Sequence, residues 1–203
     1  MTEENKSTVQ PLNAWPFQKD HVQEWAYWDK LFSKVECEKI IEIGNALPVL
    51  VATVGNGDGT PNIETRNSHV SWIGPNADTG WVFERVAAAV VSLNQQFFGF
   101  DLYGMIEGLQ FTKYEAPSGH YGQHVDNGFG VLTRKVSVSI QLNPSAEFEG
   151  GKLLIHNSPT PNDLNMAQGK LVAFPSYTLH EVTPVTKGTR YSLVCWVTGA
   201  PFR

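Results

Sequence analysis

The chain has 203 residues, of which 41% are hydrophobic, and this length is sufficient for one domain with a sizeable buried core. With 15 Lys and Arg against 20 Asp and Glu, the formal charge of -5 argues against nucleic acid as the main partner, because that binding depends on basic residues that neutralise phosphates. No run of about 18 apolar residues occurs, so no membrane partner is expected.

The N-terminal part of the chain combines a polar start with a helix. Residues 1–19 are mostly polar and contain proline, so a loose arm is expected there. Ser33 and Glu36 have the spacing of a capping box, in which each side chain bonds the backbone N–H of the other residue. Apolar residues follow at helix-like intervals, and Pro48 cannot continue a helix. The pattern therefore predicts a helix over 33–47.

A turn-rich loop, a strand and a second helix come next. Residues 52–62 contain several glycines and a proline, which predicts a flexible connector; closure of this loop over a substrate is the alternative interpretation. A strand is predicted over 64–73, where Arg66 and His69 fit either the surface or the lining of a site. Apolar residues at spacings of three and four predict a helix over 81–98. Both helices are expected to pack on the outside of a sheet.

From Leu109 onward the hydrophobic pattern changes to the two-residue alternation of β-strands. Between Lys135 and Asn143, the valines, isoleucine and leucine fall on one face and the serines and glutamine on the other. The predicted strands cover 109–114, 135–143, 151–155, 169–174, 180–185 and 190–198. Short strands separated by Gly and Pro turns indicate a sandwich or barrel. Together with the N-terminal helices, this makes the predicted fold class α+β.

Two separated stretches contain a candidate metal site. His124 and Asp126 are two residues apart on an extended segment, so their side chains point to the same face. A closed barrel would bring the distant His180 alongside them. Two neutral imidazoles and one carboxylate on one side of a metal leave the opposite positions open, as in non-haem Fe(II) oxygenases. The three residues are therefore candidate iron ligands, although each alone fits an ion pair or a buried histidine equally well.

A second group of residues fits the binding of a carboxylate. Arg190, Ser192 and Trp196 share one face of the last predicted strand because side chains alternate. An arginine binds a carboxylate with two N–H groups, and a neighbouring serine hydroxyl adds a third hydrogen bond. Tyr114, ten residues before His124, is a further donor toward the same ligand. Trp196 either fills the barrel or shields this pocket from water, and the two roles are compatible.

Together these positions resemble a known family. The residues that show the resemblance are Tyr114, Gly119, Tyr121, His124-Val125-Asp126-Asn127, Glu149 to Leu153, His180, Arg190, Ser192 and Trp196. Over about residues 105–200 the chain is similar to the prolyl 4-hydroxylase-like branch, with the PKHD-type hydroxylases, of the 2-oxoglutarate/Fe(II)-dependent dioxygenases. The resemblance implies a double-stranded β-helix (jelly-roll or cupin-like) core. A single domain over 1–203 is expected, with 1–100 as support region and 105–200 as catalytic core.

The resemblance also implies a chemistry. The implied ligands of Fe(II) are His124, Asp126 and His180. 2-Oxoglutarate would chelate the metal, and the residues implied around it are Arg190, on the distal carboxylate, and Tyr114, Ser192 and Trp196. The implied reaction uses O2 to hydroxylate a prolyl residue in a peptide or protein, with decarboxylation of 2-oxoglutarate to succinate and ascorbate as reductant.

Other functions fit the same residues. One alternative is the same chemistry on a free amino acid or small metabolite, and another is a cupin-like protein that binds a metal without turnover. In nucleic-acid repair enzymes, the resemblance leads us to expect a second arginine six residues after Arg190, where this chain has Trp196. We therefore expect no nucleic-acid partner. The sequence leaves the oligomeric state open.

The remaining histidines and the cysteines have no partners at metal-binding spacing. The histidines interpreted as surface or hydrogen-bonding residues are His21, His69, His120 and His156. Cys37 and Cys195 make no disulfide framework and are interpreted as small buried apolar residues in a reducing compartment. The first ten residues lack the basic-then-apolar pattern of a signal peptide. A cytoplasmic location is therefore expected.

Overall fold

The computed structural model describes residues 22–52, 62–126 and 133–201, which form two α-helices and thirteen strands. The helices are α1 (Lys34–Ala46) and α2 (Gly80–Leu93). The strands are β1 (Ala26–Trp28), β2 (Leu50–Val51), β3 (Arg66–Asn67), β4 (His69–Ile73), β5 (Leu102–Gly104), β6 (Leu109–Glu115), β7 (Gly119–His124), β8 (Arg134–Gln141), β9 (Phe148–Gly150), β10 (Leu153–Ile155), β11 (Asn162–Asp163), β12 (Leu171–Pro175) and β13 (His180–Gly199). No helix among these residues is long and apolar enough to cross a membrane.

Several predictions concern residues outside the described ranges. The arm over 1–19 and the side chains of His21 and Asn127 lie outside them. So does the loop predicted over 52–62, except for its two end residues. Its role as a connector or as a substrate-covering segment therefore stays a prediction.

Helix α1 begins at the predicted capping box. The backbone N–H of Ser33 donates to Glu36 Oε2 at 2.8 Å, and the backbone N–H of Glu36 donates to Ser33 Oγ at 3.4 Å. The helix ends at Ala46, two residues before Pro48, so the prediction is confirmed. Glu36 Oε1 also lies 2.6 Å from Arg85 Nη1 of α2, which ties the two helices together.

Helix α2 confirms the helix predicted over 81–98, with one difference in its last turn. After Leu93 the helix widens into a π-helical turn over Asn94–Phe98. Gly99 then ends it with a φ of 69°, a conformation that glycine adopts without steric cost. Periodicity cannot reveal this widening, because the apolar spacing across one π-turn differs little from that of an α-helix.

The strands form two antiparallel sheets that share β13. The larger sheet has the order β1-β12-β8-β13-β6-β4-β2, and β5 pairs with the end of β13. In the smaller sheet β13 pairs with β7, β9 and β10, while β11 and β3 add to β10 and β7. Two sheets wound around a shared interior are the jelly roll that the resemblance implies. The α+β fold class is confirmed.

Two predicted strand boundaries are wrong. The strands predicted over 180–185 and 190–198 are one strand, β13, because Gly188 takes a φ of 70° while still pairing with Phe148. The first part of β13 belongs to the smaller sheet, and the part from Thr189 belongs to the larger one. Conversely, the strand predicted over 64–73 divides into β3 in the smaller sheet and β4 in the larger sheet.

The larger sheet separates two hydrophobic cores. Its outer face packs on both helices, as predicted: Val138 of β8 and Cys195 of β13 share a cluster with Ile40 of α1 and Val86 of α2. A smaller cluster that includes Phe174 lies on the inner side. Alternation along β8 and β13 therefore directs every second side chain away from the helices and into the interior.

Both cysteines are free and buried in the core on the helix side. Burial raises the pKa of the Cys37 thiol to about 11 and that of the Cys195 thiol to about 12. The thiolate is the reactive form, so both groups are inert near neutral pH. Their interpretation as small buried apolar residues is confirmed.

Gly44 of α1 provides a test of the packing between helix and sheet. A Cβ added there would overlap the ring of Phe111, which is itself stacked on Tyr191 at a centroid distance of 5.7 Å. Overpacking costs about 1–3 kcal/mol, and alanine recovers at most about 1 kcal/mol of helix propensity. We expect Gly44→Ala to lower the free energy of unfolding by about 1–2 kcal/mol in urea titrations.

The control is Gly80→Ala, at the start of α2, where an added Cβ meets nothing within 4 Å. This variant should be as stable as the wild type or slightly more stable. An unfolding midpoint of Gly44→Ala equal to that of Gly80→Ala would contradict the close approach of α1 to the sheet.

Candidate active site

A cavity lies between the two sheets, and both sheets line it. Ser137 and Arg190 face it from the larger sheet, and Tyr121, His124 and His180 face it from the smaller one. The inner positions of β8 and β13 thus become the cavity wall. The residues predicted as metal ligands and as carboxylate-binding residues all line this one cavity: His124, Asp126, His180, Tyr114, Arg190, Ser192 and Trp196.

The structure brings the three candidate metal ligands together. His124 ends β7 and lies directly opposite His180, the first residue of β13. Asp126 Oδ1 is 3.5 Å from His124 Nε2, and Asp126 Oδ2 is 3.5 Å from His180 Nε2. One ligand atom from each residue lies within 4.8 Å of the others. Among the described residues, no other group of histidine, cysteine and acidic side chains forms such a cluster.

Backbone and side-chain partners orient these three residues. The Nδ1 of His124 lies 2.8 Å from the Gly122 carbonyl, and the Nδ1 of His180 lies 2.9 Å from the Thr178 carbonyl. Since a carbonyl only accepts, each Nδ1 is the donor and each Nε2 presents a lone pair to the centre. Ser137 Oγ donates to Asp126 Oδ2 at 2.7 Å. Such partners fix the orientation of metal ligands.

The protonation states also suit a metal. Burial alone would raise the pKa of Asp126, but His180, His124 and the Ser137 hydroxyl hold that pKa well below its usual range. Burial lowers the pKa of His180 and outweighs the opposite influence of Asp126. The site therefore offers an ionised carboxylate and a neutral imidazole near pH 7, the forms that bind metals.

Aromatic rings hold the two imidazoles in place. The Tyr121 ring is stacked on His124 at a centroid distance of 3.4 Å, and the Phe174 ring meets His180 edge-on at 4.7 Å. Tyr121, one of the residues that show the resemblance, both packs against His124 and lines the cavity. Burial raises its pKa to about 12, so its hydroxyl stays protonated.

A group of unsatisfied donors lies on the wall formed by β13. Arg190 is 1% exposed, and its Nε donates to Gln141 Oε1 at 2.9 Å. Within the described part of the chain, Arg190 Nη2, Ser192 Oγ and Trp196 Nε1 are buried without a hydrogen-bond partner. Leaving a buried donor unpaired costs about 1–3 kcal/mol, so such donors commonly mark a binding site. This set fits an anionic, carboxylate-type ligand.

Some residues at the site were not identified from the sequence. Ser137 lines the cavity and the buried Gln141 accepts from Arg190, and the alternation alone could have marked both as members of the polar face of β8. Arg66 was left open; the structure buries it on the cavity wall, with its guanidinium carbon 4.4 Å from the centre of the Tyr121 ring. His69 was left open too; it does not line this cavity, and its half-exposed Nδ1 lies 3.3 Å from Glu115 Oε2.

Of the remaining described histidines, His120 agrees with its interpretation as a hydrogen-bonding residue, whereas His156 Nε2 is buried without a hydrogen bond. Both ring nitrogens of His120 lie within 3.0 Å of backbone carbonyls, those of Ser118 and Glu64. His156 Nε2 lies 3.1 Å from Glu181 Oε1. Neither histidine joins the metal-ligand cluster.

Sequence comparisons identify relatives of this chain. The model of the 2OG-Fe(II) oxygenase superfamily matches residues 109–198. A PKHD-type hydroxylase of Nitrosomonas europaea is 32% identical over 120 residues, which cover 56% of this chain and 52% of that protein. One of Idiomarina loihiensis is 39% identical over 80 residues, covering 38% of this chain and 36% of that protein. The chain thus spans about half the length, or less, of these curated relatives.

Solved structures share the fold. A prolyl-4-hydroxylase of Pseudomonas putida matches with a TM-score of 0.70 and 20% identity, covering 88% of this chain and 94% of that one. A prolyl hydroxylase of Trichoplax adhaerens, in complex with a hypoxia inducible factor peptide fragment, matches with a TM-score of 0.74 and 17% identity. The match covers 87% of this chain and 84% of that one. The superfamily whose model matches residues 109–198 uses Fe(II), 2-oxoglutarate and O2. Over residues 109–198 the chain is similar to the 2OG-Fe(II) oxygenase superfamily, and among its curated relatives it is similar to the PKHD-type hydroxylases.

Proposed function

We propose that this protein is an Fe(II)- and 2-oxoglutarate-dependent dioxygenase that hydroxylates a prolyl residue in a peptide or protein. One observation supports the proposal above all. A two-histidine, one-carboxylate cluster and a buried set of unpaired carboxylate-binding donors line the same cavity. The single-domain organisation over 1–203 and the cytoplasmic location, which two free buried cysteines favour, are part of this proposal.

In the proposed mechanism, His124, Asp126 and His180 would hold Fe(II), which would supply the activation of O2 and the coupled oxidation of 2-oxoglutarate to succinate and carbon dioxide. Two imidazoles and one carboxylate are the donor set that non-haem Fe(II) oxygenases use. The carbonyls of Gly122 and Thr178 accept from each Nδ1, so each Nε2 would be free to bind the metal.

The other wall of the cavity positions the co-substrate. Arg190 and the Ser192 hydroxyl bind its distal carboxylate, and the buried Gln141 holds the guanidinium by its Nε and leaves Nη2 without a partner. Tyr114, whose ring centre is 5.5 Å from the Arg190 Cζ, lies beside this subsite. Trp196 and Phe174 help to exclude water, which strengthens each polar contact within the cavity.

The choice of a prolyl substrate rests on similarity. Two of the solved structures with this fold are a prolyl-4-hydroxylase and a prolyl hydroxylase with a bound peptide fragment. A peptide or protein containing proline is therefore the proposed substrate. Incubation of a proteome with the enzyme, followed by mass spectrometry for the gain of one oxygen atom on proline, tests this assignment directly.

The chemistry itself is tested by turnover of 2-oxoglutarate. Purified protein supplied with Fe(II), ascorbate and O2 should release succinate and carbon dioxide. His124→Ala removes one metal ligand and should abolish this release, whereas Lys187→Ala, a change of an exposed lysine on β13, should not affect it. Equal succinate release from His124→Ala and the wild type would refute the assignment of the metal ligands.

A further inference from the structure

Three arginines lie at the cavity or beside it, and they differ in how their charge is balanced. Arg134 Nε donates to Glu107 Oε2 at 2.8 Å, and its Nη2 binds the other oxygen of the same carboxylate. The Arg134 guanidinium lies 3.8 Å from the centre of the Trp196 ring. Its charge is therefore neutralised within the protein.

Arg66 and Arg190 are held by amides instead. Arg66 Nη2 donates to Gln110 Oε1 at 2.7 Å, and Arg190 Nε donates to Gln141 Oε1 at 2.9 Å. An amide oxygen orients a guanidinium but does not neutralise it. Both arginines are more than nine-tenths buried, and neither forms an ion pair with a carboxylate of residues 22–52, 62–126 or 133–201. No carboxylate of the described residues therefore neutralises either positive charge, and both arginines line the cavity.

Arg66 lies close to the metal ligands. Its Nε donates to Ser68 Oγ at 3.0 Å, so the two bonds that it donates to Ser68 and Gln110 fix the guanidinium. Its Cζ lies 4.4 Å from the centre of the Tyr121 ring, and the same ring is stacked on His124 at a centroid distance of 3.4 Å. A group bound to Arg66 would thus lie one aromatic ring away from the metal.

The charges of the loaded site leave Arg66 without a partner. The two positive charges of a bound Fe(II) and that of Arg190 would balance the negative charges of Asp126 and of dianionic 2-oxoglutarate. A buried charge without a counter-ion is costly, so the remaining positive charge favours one further anionic group. We propose that Arg66 is a second carboxylate-binding subsite that selects a primary substrate with a carboxylate near the reacting carbon.

This inference rests on the proposed function, since that function supplies the other charges. The carboxylate has two possible sources, the α-carboxylate of a terminal or free prolyl unit and an acidic side chain next to an internal proline. Two matched probe pairs separate them. One pair is N-acetylproline and N-acetylprolinamide; the other is acetyl-Ala-Pro-Glu-amide and acetyl-Ala-Pro-Gln-amide.

The experiment measures probe binding rather than turnover. Protein loaded with Fe(II) and saturated with 2-oxoglutarate, kept free of O2, is titrated with each probe in a calorimeter. The charged member of at least one pair should bind about 10-fold or more tightly than its neutral match, as expected of a charge-assisted hydrogen bond. The pair that shows the preference identifies the source of the carboxylate.

Two variants test whether Arg66 causes the preference. Arg66→Gln removes the cation, and Gln110→Glu keeps the arginine but supplies a carboxylate where the amide oxygen now lies. Both should reduce the preference below about twofold, and Gln110→Glu retains the packing of the site in case Arg66→Gln fails to fold. The exposed Lys187→Gln, which removes a distant cation, should retain the preference.

Equal binding of both members in each pair, or no binding of either charged probe, would overturn the inference. So would a preference that persists in Gln110→Glu. Failure of the proposed function has a different signature, the absence of an absorption band when the wild-type protein is mixed with Fe(II) and 2-oxoglutarate.

Discussion

Asp126→Ala should weaken the binding of Fe(II) by more than about 100-fold, because even changes to residues that only contact a metal ligand cost about 10–100-fold. Asp126 is the anionic member of the cluster, and its two oxygens lie 3.5 Å from His124 Nε2 and His180 Nε2. Without it, two neutral imidazoles remain to bind a divalent cation. Calorimetric titration of the metal-free protein with Fe(II), in the absence of O2, measures the loss.

Ser137→Ala provides the graded comparison. Its hydroxyl donates to Asp126 Oδ2 at 2.7 Å without being placed as a ligand. Removal of this hydrogen bond should weaken metal binding by about 10-fold, clearly less than removal of the carboxylate. Circular dichroism of both variants should match that of the wild type. Metal affinity unchanged in Asp126→Ala would mean that the metal binds elsewhere.

The alternation of the sequence was sufficient to predict the cavity wall on β13. Arg190, Ser192 and Trp196 face the cavity, while Leu193 and Cys195 on the opposite face pack against the helices. This prediction succeeds because a two-residue period decides the face of a strand whatever lies across from it. The capping box of α1 was equally local, since Ser33 and Glu36 are three residues apart.

Contacts between distant strands were not predictable in this way. Arg66 and Gln110 are separated by 44 positions and meet only because β3 pairs with β7 in the smaller sheet while Gln110 lies on β6 of the larger one. Periodicity reports the face of a strand but not its neighbours across an interior. The course of β13 escaped prediction for another reason: a glycine in the left-handed conformation usually ends a strand, but Gly188 bends this one from one sheet into the other.

Arg190→Ala should weaken the binding of 2-oxoglutarate by at least about 10-fold, since hydrogen bonds to charged groups contribute about 1.5–3 kcal/mol. The residue is 1% exposed, so water cannot replace the guanidinium without entering the cavity. Burial lowers the pKa of Arg190, but a guanidinium stays protonated in proteins, so the interaction persists over the range of pH in which the protein can be assayed.

Arg190→Lys separates charge from geometry. A lysine cannot bind a carboxylate with two parallel N–H groups, but it keeps the positive charge. The loss of affinity for 2-oxoglutarate should therefore be smaller in Arg190→Lys than in Arg190→Ala. Iron binding should survive in both variants, because Arg190 is not one of the proposed metal ligands. Titration of Fe(II)-loaded protein with 2-oxoglutarate, followed by the metal-to-ligand absorption band, gives the midpoints, with Lys187→Ala on the same strand as the control. A midpoint of Arg190→Ala within about twofold of the wild type would place the distal carboxylate elsewhere, and the unpaired donors of Arg190 and Ser192 would then need another ligand.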